Sequence, residues 1–316
     1  MSAPSATAIQ HALALEELIG NTPLVELRRF SSGTARIFAK LEWFNPGGSV
    51  KDRIARAMIE DAERRGLLGP GGTIVEPTSG NTGVALAMLA AVKGYRCVIV
   101  MPEGYGHVKA RIMEGFGAKV VRTPSDKRIS GAIEKAKKIT AETPGAFMPN
   151  QFASPVNPRI HYETTGPEIL EALGEGIDAF VAGVGTTGTF TGVARFLSER
   201  VPGIRRVAAE PEGSILGGGE RGPHAVEGIG LSFFPEILDR TMIDEVLTVT
   251  DTEAFATCRR LAREEGLLAG GSSGVAAAAS LRVARRLGPG KVVVTILPDG
   301  AERYPGQGIF GESAIG

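Results

Sequence analysis

Short runs rich in β-branched residues alternate along this chain with longer segments of helical period, and that alternation restricts the fold more than any other feature. Residues 35–41, 73–75, 96–101, 119–122, 177–181, 205–209 and 291–297 read as strands. Between them, 52–65, 82–93, 129–141, 190–199, 253–265 and 274–286 read as helices. Strands separated by helices are joined by crossovers, and crossovers favour parallel pairing, so the expected class is α/β with mostly parallel strands. Such sheets hold ligands beyond the carboxyl ends of their strands, in the loops that open helices. Those loops are where chemistry is sought.

The chain has 316 residues, enough for one large or two closely joined domains. Its 35 basic and 35 acidic side chains cancel, so no charged surface for nucleic acid or membrane is expected. The apolar run 84–92 is too short to cross a bilayer, and the first twenty residues lack a basic start followed by an apolar stretch. Cys97 and Cys258 show neither C-x-x-C spacing nor a nearby histidine pair, which argues against disulfides and zinc. A cytoplasmic protein without a metal site is the expectation.

Four loops carry the candidate chemistry. Asn45-Pro46-Gly47-Gly48-Ser49-Val50-Lys51-Asp52-Arg53 is a glycine turn leading into a helix, and Ser49 with Asp52 has the spacing of a capping box. That places Lys51 in the first helical turn, where the dipole disfavours an ammonium, as a lysine used for imine chemistry requires; the alternative for a lysine taken alone is a solvated residue at a helix start. Glu76-Pro77-Thr78-Ser79-Gly80-Asn81-Thr82-Gly83 crowds hydroxyls, an amide and backbone N–H groups at a helix start, which suits a carboxylate. The alternative there is a capped turn without a ligand.

Gly183-Val184-Gly185-Thr186-Thr187-Gly188-Thr189 satisfies G-x-G-x-x-G between a strand and a helix, with Glu210 about twenty residues on. An NAD(P) site is therefore a rival reading, although the three threonines suit a terminal phosphate monoester better than a pyrophosphate. In Leu268-Ala269-Gly270-Gly271-Ser272-Ser273-Gly274, a serine can either face a pyridine nitrogen or cap the helix that follows. His11, His107, His161 and His224 lack metal-ligand spacing and read as structural. No G-x-S-x-G elbow accompanies them, which sets hydrolase readings aside.

Taken in order, these loops resemble the cysteine synthase and cystathionine β-synthase family of pyridoxal 5′-phosphate (PLP) enzymes, the fold type II group. The likeness extends from Ile19-Gly20-Asn21-Thr22-Pro23-Leu24 through Pro149-Asn150-Gln151-Phe152, His161-Tyr162-Glu163-Thr164-Thr165-Gly166-Pro167-Glu168 and Val226-Glu227-Gly228-Ile229-Gly230 to Leu297-Pro298. It implies two α/β lobes, each with a mostly parallel twisted sheet flanked by helices. A smaller, mobile, substrate-closing lobe is expected at 46–155, and a larger PLP-binding lobe from 1–45 plus 156–316.

By the resemblance, Lys51 is the Schiff-base lysine and proton carrier, and Gly185, Thr186, Thr187, Gly188 and Thr189 hold the cofactor phosphate. Asn81 bonds the ring 3′-oxygen and Ser272 the ring nitrogen. Thr78, Ser79, Gly80, Asn81, Thr82 and Gln151 grip the substrate carboxylate, with Gly228 beside its amino end. The implied reaction is β-replacement through an α-aminoacrylate, with a thiol or sulfide adding second. Implied too are a homodimer and, in some cysteine synthases, binding of the C-terminal tail of serine acetyltransferase.

The signals within the family divide. Glu212-Gly213-Ser214-Ile215-Leu216, Asp239-Arg240-Thr241 and Glu265-Gly266-Leu267-Leu268 resemble cystathionine β-synthases, whereas the first half and 151–168 resemble cysteine synthases. Leu231-Ser232 stands where the former group carries a tyrosine–aspartate pair, which favours O-acetyl-L-serine and sulfide, giving L-cysteine. Lys109 and Arg111, in the loop 103–111, read either as acceptors of a phosphate leaving group or as solvated residues of a helix start. O-phosphoserine sulfhydrylase, serine sulfhydrylase and cystathionine β-synthase activities, and a catalytically silent PLP-binding protein, are the alternatives.

Overall fold

Where each crossover returns decides how many sheets the chain builds. The computed structural model describes residues 14–104 and 106–311. The chain opens with β1 (Leu24–Glu26) and β2 (Arg36–Leu41), then α1 (Lys51–Arg64), β3 (Thr73–Pro77), α2 (Asn81–Lys93), β4 (Arg96–Pro102), α3 (His107–Gly115) and β5 (Lys119–Thr123). Next come α4 (Arg128–Glu142), β6 (Ala146–Phe147), α5 (Val156–Ile160), a π-helical turn (His161–Thr165), α6 (Gly166–Leu173), β7 (Ala179–Gly183), α7 (Gly188–Arg200) and β8 (Arg205–Pro211). It ends with β9 (Glu245–Val249), α8 (Asp251–Glu265), α9 (Gly271–Leu287) and β10 (Val292–Leu297).

Two sheets result. One has the order β1-β2-β10-β7-β8-β9, and the other β5-β4-β3-β6. Every pairing is parallel except that of β1 with β2. In the larger sheet the chain walks outward from β7 to β9 and then returns to the other side of β7 as β10, so the order reverses between β7 and β10. In the smaller sheet it walks from β3 to β5 and returns beside β3 as β6. Each sheet therefore has a switch point where neighbouring loops diverge and leave a crevice.

Strand periodicity explains why both sheets are covered on both faces. Along β7, Ala179 and Val181 enter one hydrophobic cluster while Phe180 and Ala182 enter another on the opposite face. Val293 and Val294 of β10 divide in the same way. In the smaller sheet Ile74 and Ile99 face the cluster that holds α2, and Val75 and Val100 face α4. α2 is apolar nearly all round and buried from Thr82 to Ala90, as suits a helix enclosed by other elements. Among the described residues no helix is long and apolar enough to cross a membrane.

All the strands and helices read from the sequence form, within a few residues of their expected ends. β1, β6, β9, α5 and α6 were not anticipated, while α3 begins where one reading of the loop 103–111 put a helix start. β1 and β6 have three and two residues, too few for a visible alternation, and β9 is a half-buried edge strand. The capping box at Ser49 and Asp52 does not form: Ser49 Oγ accepts from the Lys51 N–H at 3.2 Å, while the Asp52 carboxylate turns back to the Gly47 N–H. Cys97 and Cys258 are free and buried. His11 lies outside the described residues.

Candidate active site

The two switch points open into one cavity of about 300 Å³. The smaller sheet contributes the loop after β3 and the segment after β6; the larger contributes the loops after β7 and β10 and the start of α9. Lys51, Thr78, Ser79, Gly80, Asn81, Thr82, Gln151, Gly185, Thr186, Thr187, Thr189, Gly228 and Ser272 all line it. Gly188 does not, and sits behind the wall where an added Cβ would overlap the Asn157 amide.

Lys51 is the first residue of α1 and is half-buried at the cavity wall. Burial pushes its amine below the ordinary lysine value, opposed in part by the charges of Asp299 and Glu42. Loss of solvation thus dominates, reinforcing the helix-start effect read from the sequence. An amine poised this way is a usable nucleophile and proton carrier.

Two anion-favouring loops face that amine. α2 begins at Asn81 with no side chain capping it, so its first N–H groups remain for a ligand; the capped-turn alternative is not realised. Thr78 Oγ1 accepts from the Gly80 N–H at 3.2 Å, and Thr82 Oγ1 donates to Gln151 Oε1 at 2.6 Å, tying the loop after β3 to the segment after β6. Gln151 is held in turn by the buried Glu76 carboxylate, which accepts from the Asn150 and Gln151 N–H groups at 3.0 and 3.2 Å.

Across the cavity, α7 starts behind Thr187, whose φ of 76° is a left-handed conformation seldom adopted by a β-branched residue. Thr187 Oγ1 is buried without a partner. Asn157 Nδ2 donates to Thr186 Oγ1 at 3.1 Å, and Thr189 Oγ1 lies 3.1 Å from Nε2 of the buried His161, whose Nδ1 is 2.8 Å from Thr165 Oγ1. Burial drives the His161 ring down to about 3, so it sits there neutral. At Gly185 an added Cβ would come within 2.5 Å of the Gly228 carbonyl oxygen, so only glycine fits the wall.

Several residues in or around the cavity escaped the sequence reading. Asp299, after β10, is buried; it accepts from Asn81 Nδ2 at 2.6 Å and from the Tyr304 hydroxyl, and leaves Oδ1 without a partner. Arg303 Nη1 donates to Asn81 Oδ1 at 2.9 Å. Lys109, read above either as an acceptor for a phosphate leaving group or as a solvated helix-start residue, lines the cavity, buried and paired with Glu227 at 2.6 Å, so the solvated reading fails for it, while Arg111 is exposed. His161, read as structural, touches the threonine loop. The signal available for Asp299 was its place directly after a central strand. For Lys109 and Glu227 no local pattern marked a pairing 118 residues apart.

The dinucleotide reading loses its acidic residue, because the buried Glu210 carboxylate accepts from the Leu216 and Gly217 N–H groups at 3.0 and 2.9 Å. The residues do fit PLP: the orphaned Thr187 hydroxyl and the start of α7 suit its phosphate, and the depressed Lys51 amine suits its aldehyde. Ser272 is within the first turn of α9, which has no side-chain cap, so it does not serve as the cap and faces the cavity.

Comparison with known proteins agrees. The model of the family described as pyridoxal-phosphate dependent enzyme matches residues 15–299. A cysteine synthase of Staphylococcus aureus is 50% identical over 293 residues, covering 92% of this chain and 94% of that protein. One of Helicobacter pylori is 45% identical over 300 residues, covering 94% and 98%. An O-acetylserine dependent cystathionine β-synthase from Helicobacter pylori superposes with a TM-score of 0.90 at 44% identity, over 96% of this chain and 100% of that one. O-ureido-L-serine synthase does so with a TM-score of 0.94 at 42% identity, over 97% and 98%. A matched family model that spans every cavity residue but Tyr304, with relatives this similar over nearly their whole length, establishes that the chain belongs to the pyridoxal-phosphate dependent enzyme family.

Proposed function

We propose that this chain forms L-cysteine by replacing the β-acetoxy group of O-acetyl-L-serine with sulfide. The observation that carries this reading is a single half-buried lysine, disfavoured as a cation, in a cavity with an uncapped helix start on one side and an orphaned threonine hydroxyl on the other. PLP, when bound, supplies the electron sink that lets the α-proton and then the β-substituent depart at neutral pH.

The rest is done by the chain. Thr186, Thr187 and Thr189 with the start of α7 hold the phosphate, Ser272 meets the ring nitrogen and Asn81 the 3′-oxygen. A serine partner leaves that nitrogen without a full proton, which favours β-replacement over transamination. Thr78, Ser79, Gly80, Asn81 and Thr82 with Gln151 bind the substrate carboxylate and orient the α-carbon. Lys51 takes the proton from that carbon and returns it after addition. Gly228, with no side chain, leaves room for the substrate amine. A smaller lobe at 46–155, closing on the larger over bound substrate, excludes water from this exchange.

The choice of leaving group rests on charge. Lys51 and Lys109 are the cationic residues that line the cavity, and Glu227 neutralises Lys109. A phosphate dianion would face an opposing carboxylate there, whereas an acetyl ester asks for no cation. A panel of O-acetylserine, O-phosphoserine and serine with sulfide tests this. Cysteine formed fastest from O-acetylserine is the expected result; preference for O-phosphoserine would overturn it, and a cofactor spectrum unmoved by every donor would favour a silent binder. A cytoplasmic homodimer, with the serine acetyltransferase tail as a ligand of the same cavity, completes the reading; sedimentation and peptide titration test these two partners.

A further inference from the structure

One buried amide joins the two anion-binding walls of the cavity from behind, and the reaction above gives it no task. Asn157, the second residue of α5, is 1% exposed. Its Nδ2 donates to the Gln151 carbonyl oxygen at 2.9 Å and to Thr186 Oγ1 at 3.1 Å. A carbonyl oxygen can only accept, so the amide cannot be turned end for end, and both of its protons are spent on these two partners. On its other side, a Cβ at Gly188 would overlap Asn157 Oδ1, and a Cβ at Gly192 would overlap the Pro158 carbonyl oxygen. These two glycines let α5 lie directly against the start of α7. Gly188, which misses the cavity, thus makes room for the residue behind the wall.

The direction of the Thr186 hydroxyl follows. It has one proton, and its oxygen already accepts from Asn157, so that proton is aimed away from α5. No described residue accepts it, and Thr186 lines the cavity, which leaves it for an anion there. A hydroxyl that accepts one hydrogen bond also becomes a stronger donor of the next. Thr189 Oγ1 has His161 behind it, but a ring nitrogen can give or take a proton, and Thr187 Oγ1 has no partner. Thr186 is the threonine whose polarity is settled from behind. On the other wall the Gln151 N–H goes to Glu76 and its Oε1 accepts from Thr82. With its carbonyl held by Asn157, the Nε2 protons are what Gln151 keeps for a substrate carboxylate.

We propose that Asn157 is a positioning residue that couples the two grips: it makes Thr186 a donor toward the cofactor phosphate and holds Gln151 toward the substrate carboxylate. This rests on the site assignments made under the proposed function and carries them one layer behind the cavity wall. Asn157 itself does not line the cavity, so it acts through its two partners. Gln151 belongs to the segment 46–155 assigned to the closing lobe, and Thr186 to the larger lobe. One side chain thus ties the order of the cofactor's loop to that of the loop that receives the substrate.

The test titrates the apoprotein with PLP and with pyridoxal, which lacks the phosphate. Asn157→Ala should raise the Kd for PLP about tenfold or more, the scale of one hydrogen bond to a charged group, and that for pyridoxal less than about twofold. Asn157→Asp keeps the shape but offers no donor, so the Thr186 proton turns back toward it and PLP should weaken more than in Asn157→Ala. A packing role predicts the reverse order. In a Thr186→Val background, Asn157→Ala should add little to the loss of PLP affinity, because both act through one hydroxyl. With PLP saturating, Asn157→Ala should raise the KM for O-acetylserine about threefold to tenfold in both backgrounds, with kcat little changed. Equal losses for PLP and pyridoxal, or a PLP affinity and KM both unmoved, would overturn the coupling. If Asn157→Ala fails to fold, NMR of the Asn157 side-chain amide in the wild type carries the test: its protons should shift with PLP and hold still with pyridoxal, and an equal response to both would overturn the proposal. Cofactor affinities that behave as stated in a wild type that makes no cysteine from O-acetylserine would sink the β-replacement reading and leave the role of Asn157 standing; half-saturation of the cofactor spectrum by L-serine then reads the carboxylate grip in place of KM.

Discussion

Asn81 is gripped at both ends of its amide, with Nδ2 donating to Asp299 and Oδ1 accepting from Arg303, so the face it turns to the cavity is set by residues more than two hundred positions away. Asp299 also sustains the positive charge of Lys51. In the apo protein, Asp299→Asn should therefore move the Lys51 titration to lower pH, read by NMR of the reductively methylated amine; an unchanged or raised titration would remove that role. Beneath α1 the Arg53 guanidinium bonds Glu42 at 2.8 Å and Glu168 at 2.6 Å, all three largely withdrawn from water. Burial pushes the Glu42 carboxyl up, yet Arg53 overrides it and brings it down to about 2. Glu42→Ala leaves the Arg53 guanidinium with Glu168 but with its Nε unpaired in the interior, and should cost about 3 kcal/mol in denaturant unfolding, against less than about 1 kcal/mol for the exposed Arg64→Ala.

At the level of elements, close approaches decide what the packing tolerates. On α7, a Cβ at Gly192 would overlap the backbone oxygen of Pro158 in α5, and backbone has nowhere to go. On α2, a Cβ at Gly83 meets mainly the flexible end of Met113. Gly192→Ala should thus lose about 1–3 kcal/mol of stability, and Gly83→Ala clearly less, measured as denaturant midpoints. These contacts also show what the sequence could reveal. Strands such as β7 and β10, and loops such as 183–189, carry their signal within a few consecutive residues, and all the residues named there for the cavity reach it except Gly188. β6 pairs through two residues, and α3 presents Lys109 to a glutamate that only the tertiary fold brings near, so neither announces itself locally. Ser49 and Asp52 had the pattern of a capping box, but the Gly47 N–H offered Asp52 a nearer partner.

For the whole molecule, two buried carboxyls set a pH dependence. Burial, partly opposed by backbone N–H groups, lifts Asp52 from 3.8 to about 7 and Glu76 from 4.5 to about 7. Between those limits the folded protein binds more protons than the unfolded chain, so their contribution is favourable below the unfolded values and is lost as pH rises through about 7. The Tm of the wild type should therefore fall from pH 5 to pH 8 more than that of Glu76→Gln; parallel curves would contradict the assignment. The two sheets meet at a cavity whose proposed chemistry depends on one amine, Lys51, and that dependence can be read directly. Borohydride reduction of the PLP-loaded protein, followed by peptide mass spectrometry, should place a single phosphopyridoxyl group on the peptide containing Lys51, with no label in Lys51→Ala. A label on another lysine, or an unlabelled wild type, would contradict the account.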